Sequence, residues 1–229
     1  LTSRFGVTPL SWSFDTVGPI ARRAEDAAIA LTILAGYDPE DQGSARSEKV
    51  DYTQGLDEGV RGLRIGVPKE YVWDVIDVEV EVAFRKAMTT LEEMGAFVEE
   101  ISLPELEWVP AIAAAMTTVE AATLHGDLAR TRGNELDPSV LRRLQSGFFI
   151  SGETYEQAAR ARVLFARRMN AIFGSVDLIA TPTVPMPAPS QEVERMLVGG
   201  VDTVVREALL RNTRIFNVSR LPAVAMPTG

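Results

Sequence analysis

The chain has 229 residues, with 23 Lys and Arg against 32 Asp and Glu, a net charge of −9 and a pI near 4.8. It holds no cysteine and one histidine, His125. That excludes a disulfide framework, a thiol nucleophile, thiolate-ligated metal sites and the multi-imidazole sets of most catalytic zinc or non-haem iron centres. Apolar residues at 46% and charged residues at 24% describe a globular chain, with no apolar run near membrane-spanning length, no opening signal peptide and no basic stripe for nucleic acid.

In chain order, residues 1–20 read as irregular, dense in Gly, Pro, Ser and Thr, with Phe5, Leu10, Trp12 and Phe14 as scattered apolar anchors. From Arg23 to Leu34, Ala24, Ala27, Ala28, Leu31 and Leu34 recur at helical spacing. Glu25 and Asp26 lie in the first turn and Gly36 is the stop. Residues 37–62 are polar and turn-rich. Leu63–Val67 then reads as a strand, Val78–Met94 as a helix ended by Gly95, and Ala96–Leu103 as a second strand. Together they form a βαβ unit with two parallel strands. Helices follow over 106–131, 138–147 and 153–173, broken at Gly133-Asn134 and Ser151-Gly152. Asp177–Ala180 reads as a buried strand entering a proline-rich exit, a last helix falls near 201–212, and Leu221–Met226 reads as a strand. The alternation predicts an α/β fold, with Leu63–Val67 and Asp177–Ala180 in the sheet interior.

The residues carry no complete catalytic set. His125 has no serine near it in sequence and reads as a surface or structural histidine. There is no Gly-x-Ser-x-Gly elbow and no glycine-rich phosphate loop. The carboxylates at Asp38/Glu40/Asp41 and Asp74/Asp77/Glu79/Glu81 read as loop and helix-start charge, and the arginines at 142–143 and 160–168 as charged helix faces. Asn217-Val218-Ser219 matches a glycosylation sequon by chance. Only Lys49, Lys69 and Lys86 occur against 20 arginines, and neither Lys69 at a strand exit nor Lys86 on a polar helix face reads as the desolvated lysine that a general base requires.

The stretch Gly6-Val7-Thr8-Pro9-Leu10-Ser11-Trp12-Ser13-Phe14-Asp15-Thr16-Val17-Gly18-Pro19-Ile20-Ala21-Arg22 resembles the amidase signature family. The resemblance continues through Glu25-Asp26-Ala27-Ala28, Ala35-Gly36-Tyr37-Asp38-Pro39-Glu40-Asp41 and Leu63-Arg64-Ile65-Gly66-Val67-Pro68-Lys69-Glu70. It resumes at Asp177-Leu178-Ile179-Ala180-Thr181-Pro182-Thr183, at Phe216-Asn217 and at Leu221-Pro222-Ala223. The matches keep family order over nearly the whole chain and are weakest over residues 100–150.

The resemblance implies an α/β/α fold around a mixed sheet flanked by helices, with a helical sub-region over 104–175. It also implies hydrolysis of a small amide by a Ser–cis-Ser–Lys triad, without metal or cofactor. In family members that triad lies upstream of the Gly6–Pro19 stretch, so residues 1–229 are expected to form a partial amidase domain, cut at both ends and inactive alone. Phe148, Phe149 and Tyr155 match the region where the family builds its acyl pocket, with helix packing as the other reading. Thr181 and Thr183 fall at the carboxyl end of a strand, with a Thr-Pro-Thr turn as the alternative. Asp15 is expected to steady the catalytic loop or to cap a turn, and Asn217 to satisfy backbone groups near the final strand. The family commonly has Gly where this chain has Arg220, which puts the local turn in question.

The resemblance suits a cytoplasmic enzyme acting on a small amide and admits a homodimer, with no membrane and no nucleic acid. A second reading is the A subunit of a glutamyl/aspartyl-tRNA amidotransferase, which would bring partner subunits and tRNA. A third is a non-catalytic binding module. A fragment should expose unpaired strand edges and an apolar patch, and a self-sufficient module should not.

Overall fold

A computed structural model of the chain describes residues 1–46 and 48–228. In chain order its elements are α1 (Ala24–Leu34), β1 (Arg64–Pro68), α2 (Val78–Glu93), β2 (Phe97–Ile101) and α3 (Val109–Thr131). They continue with α4 (Pro138–Gly147), α5 (Gly152–Ile172), β3 (Leu178–Ile179), β4 (Arg195–Val198), β5 (Val201–Val204), α6 (Val205–Arg211) and α7 (Thr213–Ser219). Short 3-10 turns at Pro104–Trp108 and Gly133–Glu135 precede α3 and α4. The chain divides into two compact units, Leu1–Gly59 with Thr117–Phe148 and Val60–Met116 with Phe149–Gly229.

The first unit is irregular chain plus helices. Helix α1 carries Glu25 and Asp26 in its first turn and ends at Ala35, whose N–H donates to Leu31 O. After that first turn it is mostly apolar, yet none of its residues is buried. The turn-rich segment after it is tied to the chain start by Arg4, whose N–H and guanidinium both donate to the Asp41 carboxylate. These bonds, with one from Gly43 N–H, hold the Asp41 pKa at about 2. Asp137 caps α4 by accepting from Ser139 N–H and Val140 N–H, with Pro138 in the first helical position. Ala121, Ala129 and Leu144 form a small core with Leu136, Val140 and Leu141 around them. Gly147 is required there, because a Cβ would collide with Thr118 O and Ala122 Cβ.

The second unit holds the predicted βαβ unit. Strand β1 lies between β2 and β3 in a wholly parallel sheet, ordered β2-β1-β3 and registered with Ile65 opposite Val98 and Leu178. Four of its five residues are buried, as an interior strand requires. Helix α2 starts at Asp77, which accepts from Glu79 N–H, and buries Phe84. It ends before Gly95, whose φ of 100° suits glycine. The core is filled by Ile65, Leu103, Leu106, Val109, Phe165 and Met169. At the amino end of the sheet Arg64 binds Asp177 through its own N–H at 2.9 Å and its guanidinium at 2.7 Å, setting the β1–β3 register.

Three expectations change. The helix expected near 201–212 begins only at Val205, because Val201–Val204 pairs antiparallel with Arg195–Val198. Gly199 and Gly200, both at positive φ, supply the two-residue turn that closes this hairpin. A further helix, α7, follows α6. Leu221–Met226 forms no strand, since none of its backbone pairs with another strand among the described residues, and Val224 and Met226 are exposed. β3 is an outer rather than interior strand of the three, with Leu178 half-exposed. Antiparallel pairing is confined to the hairpin and one isolated Thr2–Ala35 bridge among the described residues.

Arg220 ends α7 at φ 64°, a left-handed conformation that costs a side-chain-bearing residue about 1–2 kcal/mol. Arg220→Gly should therefore raise stability by roughly 0.5–1 kcal/mol, read as a higher denaturant midpoint at unchanged m-value. Asp177, held at about 2 against an ordinary 3.8 by its bonds from Arg64, binds fewer protons folded than unfolded. Its contribution is complete above about pH 4 and is lost as pH falls through 2. Asp177→Asn should flatten the stability–pH curve over that window in equilibrium acid unfolding.

Candidate functional site

Parallel strands leave their ligands at their carboxyl ends, and two loops emerge there. Past β1 the chain runs through Lys69–Asp77, and past β3 through Ala180–Pro185. Both are anchored to the sheet, Lys69 N–H donating to Ile101 O and Ala180 N–H to Gly66 O. Farther out they meet, through Asp77 N–H donating to Pro185 O at 2.7 Å. Glu70 accepts from Ser102 Oγ at 2.6 Å and Leu103 N–H at 2.8 Å, joining the exits of β1 and β2. Partial burial works to raise the Glu70 pKa, but these bonds outweigh it and the net shift is downward.

Tyr71 is the strained point of this edge. It sits at φ 67° and is almost wholly buried. Burial pushes its phenol up, and the charge of Arg211, whose guanidinium lies 3.8 Å from the ring centroid, acts against that. Arg211 Nη2 also donates to Tyr71 O at 2.7 Å, and the next residue, Asn212, donates from Nδ2 to Pro182 O at 2.8 Å. Asn212 is fully buried, and its Oδ1 and Arg211 Nε have no hydrogen-bond partner among the described residues.

Thr181 and Thr183 lie on the exit from β3, the first half-buried and the second exposed. Tyr155 is half-buried near the start of α5, and Phe149 projects into solvent at 88% exposure just before it. Asn217 is exposed on α7, and its main-chain carbonyl accepts from Arg162 Nη2. Arg162 is itself buried and donates from Nε to Val218 O, so a cation faces the carboxyl end of α7.

Phe148 and Asp15 belong to the first unit. Phe148 lies under the Arg130 guanidinium at 4.4 Å and lines a groove of about 220 Å³ with Val119, Thr123 and Asp127. Asp15 closes a turn by accepting from Leu10 N–H at 2.7 Å and Ser11 N–H at 3.0 Å. His125 meets Pro9 O at 2.6 Å through Nε2, a link to the main chain. Lys49, Lys69 and Lys86 are all exposed. Among the described residues no group of three or more His, Asp or Glu could hold a metal, and no helix is long and apolar enough to cross a membrane.

Sequence reasoning missed Glu120. Its buried carboxylate accepts from Ser11 Oγ at 2.5 Å, Ser13 N–H at 2.9 Å and Ser13 Oγ at 2.6 Å. It is the one charge in the helical run AAAMTTVEAATL, and a lone carboxylate in an apolar run was the available signal. Removing it strands the buried Ser11 hydroxyl and frees the 11–13 segment. Glu120→Ala should cost roughly 2–4 kcal/mol and Ser11→Ala about 1 kcal/mol in urea unfolding. A Glu120→Ala loss within about 0.5 kcal/mol, the size of an ordinary surface change, would remove this role.

A family model described as Amidase matches residues 1–229. An amidase of Pseudomonas putida is 37% identical over 226 residues, covering 98% of this chain and 48% of the relative. The A subunit of the glutamyl-tRNA(Gln) amidotransferase of Neisseria gonorrhoeae is 34% identical over 253 residues, covering 99% of this chain and 51% of the relative. Among solved structures, a chain from a vestigial protein complex tied to the origins of an s-triazine catabolic enzyme superposes with a TM-score of 0.89 at 30% identity, over 95% of this chain and 47% of that one. An amidase crystal structure does so with 0.81 at 28% identity, over 95% and 46%. The chain thus spans about half the length of the curated relatives it matches. With the whole of its length matched and its parallel sheet and helices superposing on solved members, the chain belongs to the amidase signature family.

Proposed function

We propose that these residues form the scaffold and part of the substrate wall of an enzyme that hydrolyses the C–N bond of a small amide. The observation that carries this reading is the family match over residues 1–229 at half the relatives' length. In the proposed reaction a serine attacks the amide carbonyl, a second serine relays its proton to a neutral lysine, and backbone amides hold the oxyanion. The amine leaves, and water releases the acyl group. The exposure of Lys49, Lys69 and Lys86 favours a lysine and serine pair on chain beyond these residues, because a lysine base must be desolvated.

The partial-domain reading is supported by the apolar surface of the first unit. Phe5, Trp12, Ile20 and Ile33 are exposed there, and α1 buries nothing. Thr181 and Thr183, with Phe149 and Tyr155, are assigned to the substrate wall in the second unit. Phe148 is a separate candidate in the first unit, where Asp15 steadies the 10–15 turn. Asn217 contributes through its main chain. The reaction requires no metal or cofactor, and we assign it to the cytoplasm.

The second reading, an amidotransferase A subunit, is favoured by the 34% identity to the Neisseria gonorrhoeae protein. The net charge of −9 leaves tRNA contact to partner subunits in that case. Ammonia release decides among these. The chain alone should release none from benzamide, whereas its full reading frame should hydrolyse benzamide and lose that activity to a serine-directed inhibitor. Glutamine-dependent amidation of charged tRNA with no benzamide turnover would select the second reading. Inhibitor-sensitive turnover by the chain alone would overturn the placement of the triad.

A further inference from the structure

We propose that Arg211 and Asn212, at the junction of α6 and α7, are positioning residues that set the spacing of the two loops at the carboxyl edge of the parallel sheet. This rests on the amidase reading, since the loops are the substrate wall proposed above. Tyr71 lies three residues past the end of β1 and Pro182 three residues past the end of β3. These equivalent points on neighbouring strands are held by consecutive side chains, Arg211 Nη2 on Tyr71 O and Asn212 Nδ2 on Pro182 O. Pro182 separates Thr181 from Thr183, so Asn212 sets the height of both hydroxyls above the sheet.

The chemistry at the junction is poorly suited to stability alone. Asn212 is fully buried, and among the described residues its Oδ1 and the buried Nε of Arg211 are unpaired. A half-satisfied buried amide is worse for folding than an apolar side chain of similar volume. Tyr71 adds a left-handed backbone that Arg211 holds from two sides, by its stacked guanidinium and its bond to the carbonyl. Strain and unpaired polar groups concentrated on one edge mark a place where geometry is held against local preference. The Asp77–Pro185 bond repeats the tie farther out, so the two loops move together or not at all.

The test uses Arg211→Lys, Arg211→Ala and Asn212→Ala in the full reading frame, assayed on benzamide, together with hydrogen exchange on each folded variant. We expect KM to rise on the order of tenfold in the alanine variants with kcat nearly unchanged, and an intermediate rise in Arg211→Lys, which keeps a donor but not the stacked plane. Exchange should quicken at Asp74 and Asp77, whose N–H groups bond to Tyr71 O and Pro185 O, while Phe97 and Glu99 in β2, which face β1, stay protected. An unchanged KM with kcat falling in proportion to the folded fraction would overturn the proposal. So would uniformly faster exchange across the sheet. Should the wild-type enzyme hydrolyse no amide, the amidase reading fails by itself, and the exchange pattern still decides whether the junction sets these loops. If Asn212→Ala does not fold, the Arg211→Lys KM and exchange pattern decide.

Discussion

A Cβ on Gly66 would stand 2.9 Å from two carbons of Ile101 and 3.1 Å from Val176 Cγ1, closer than such atoms normally approach. The missing side chain at the middle of β1 lets Ile101 and Val176 close over the strand, and the parallel sheet forms around that contact. Every later feature of the second unit follows the direction the sheet then takes. Its amino end is pinned by Arg64 and Asp177, and its carboxyl end by Glu70, Arg211 and Asn212. Two short neighbours, five residues in β2 and two in β3, give β1 few ladder bonds. Side-chain ties at both ends carry much of the alignment.

Carboxylates do comparable work in the loops. Asp15, Asp41, Asp77, Glu120 and Asp137 each accept main-chain N–H groups that no helix or strand satisfies. An acidic chain with long irregular segments is coherent on these terms, since one carboxylate can serve several main-chain donors at once. Part of the charge of −9 is thus internal wiring of the chain. The surplus of acids read from composition does not by itself mark a binding face.

The helices up to α5, the βαβ unit and the break at Gly133 were legible because local spacing dictates them: alanine and leucine at helical intervals, a glycine after each long helix, a short β-branched run before each turn. The hairpin was not, because Arg195–Val198 has no alternation strong enough to stand alone and declares itself only by pairing across Gly199-Gly200. Leu221–Met226 has the composition of a strand, but composition supplies no neighbour. Thr181 and Thr183 could be placed at a strand exit from sequence, since the run Asp177–Ala180 ends in proline. Glu120 with Ser11, and Asn212 with Pro182, join residues far apart in the chain, and no periodicity encodes such a meeting.

Helix α1 is 11 residues long, shorter than an isolated helix needs to hold its shape in water, and its alanines supply propensity without tertiary burial. Its cooperativity with the rest of the chain is therefore low. On warming, this segment should lose helical signal gradually and before the packed sheet does, so that far-ultraviolet dichroism shows a sloping baseline ahead of the main transition. Thermal analysis of the chain would then depart from a two-state description at its amino-terminal side, for a reason that lies in one exposed stripe of Ala, Ile and Leu.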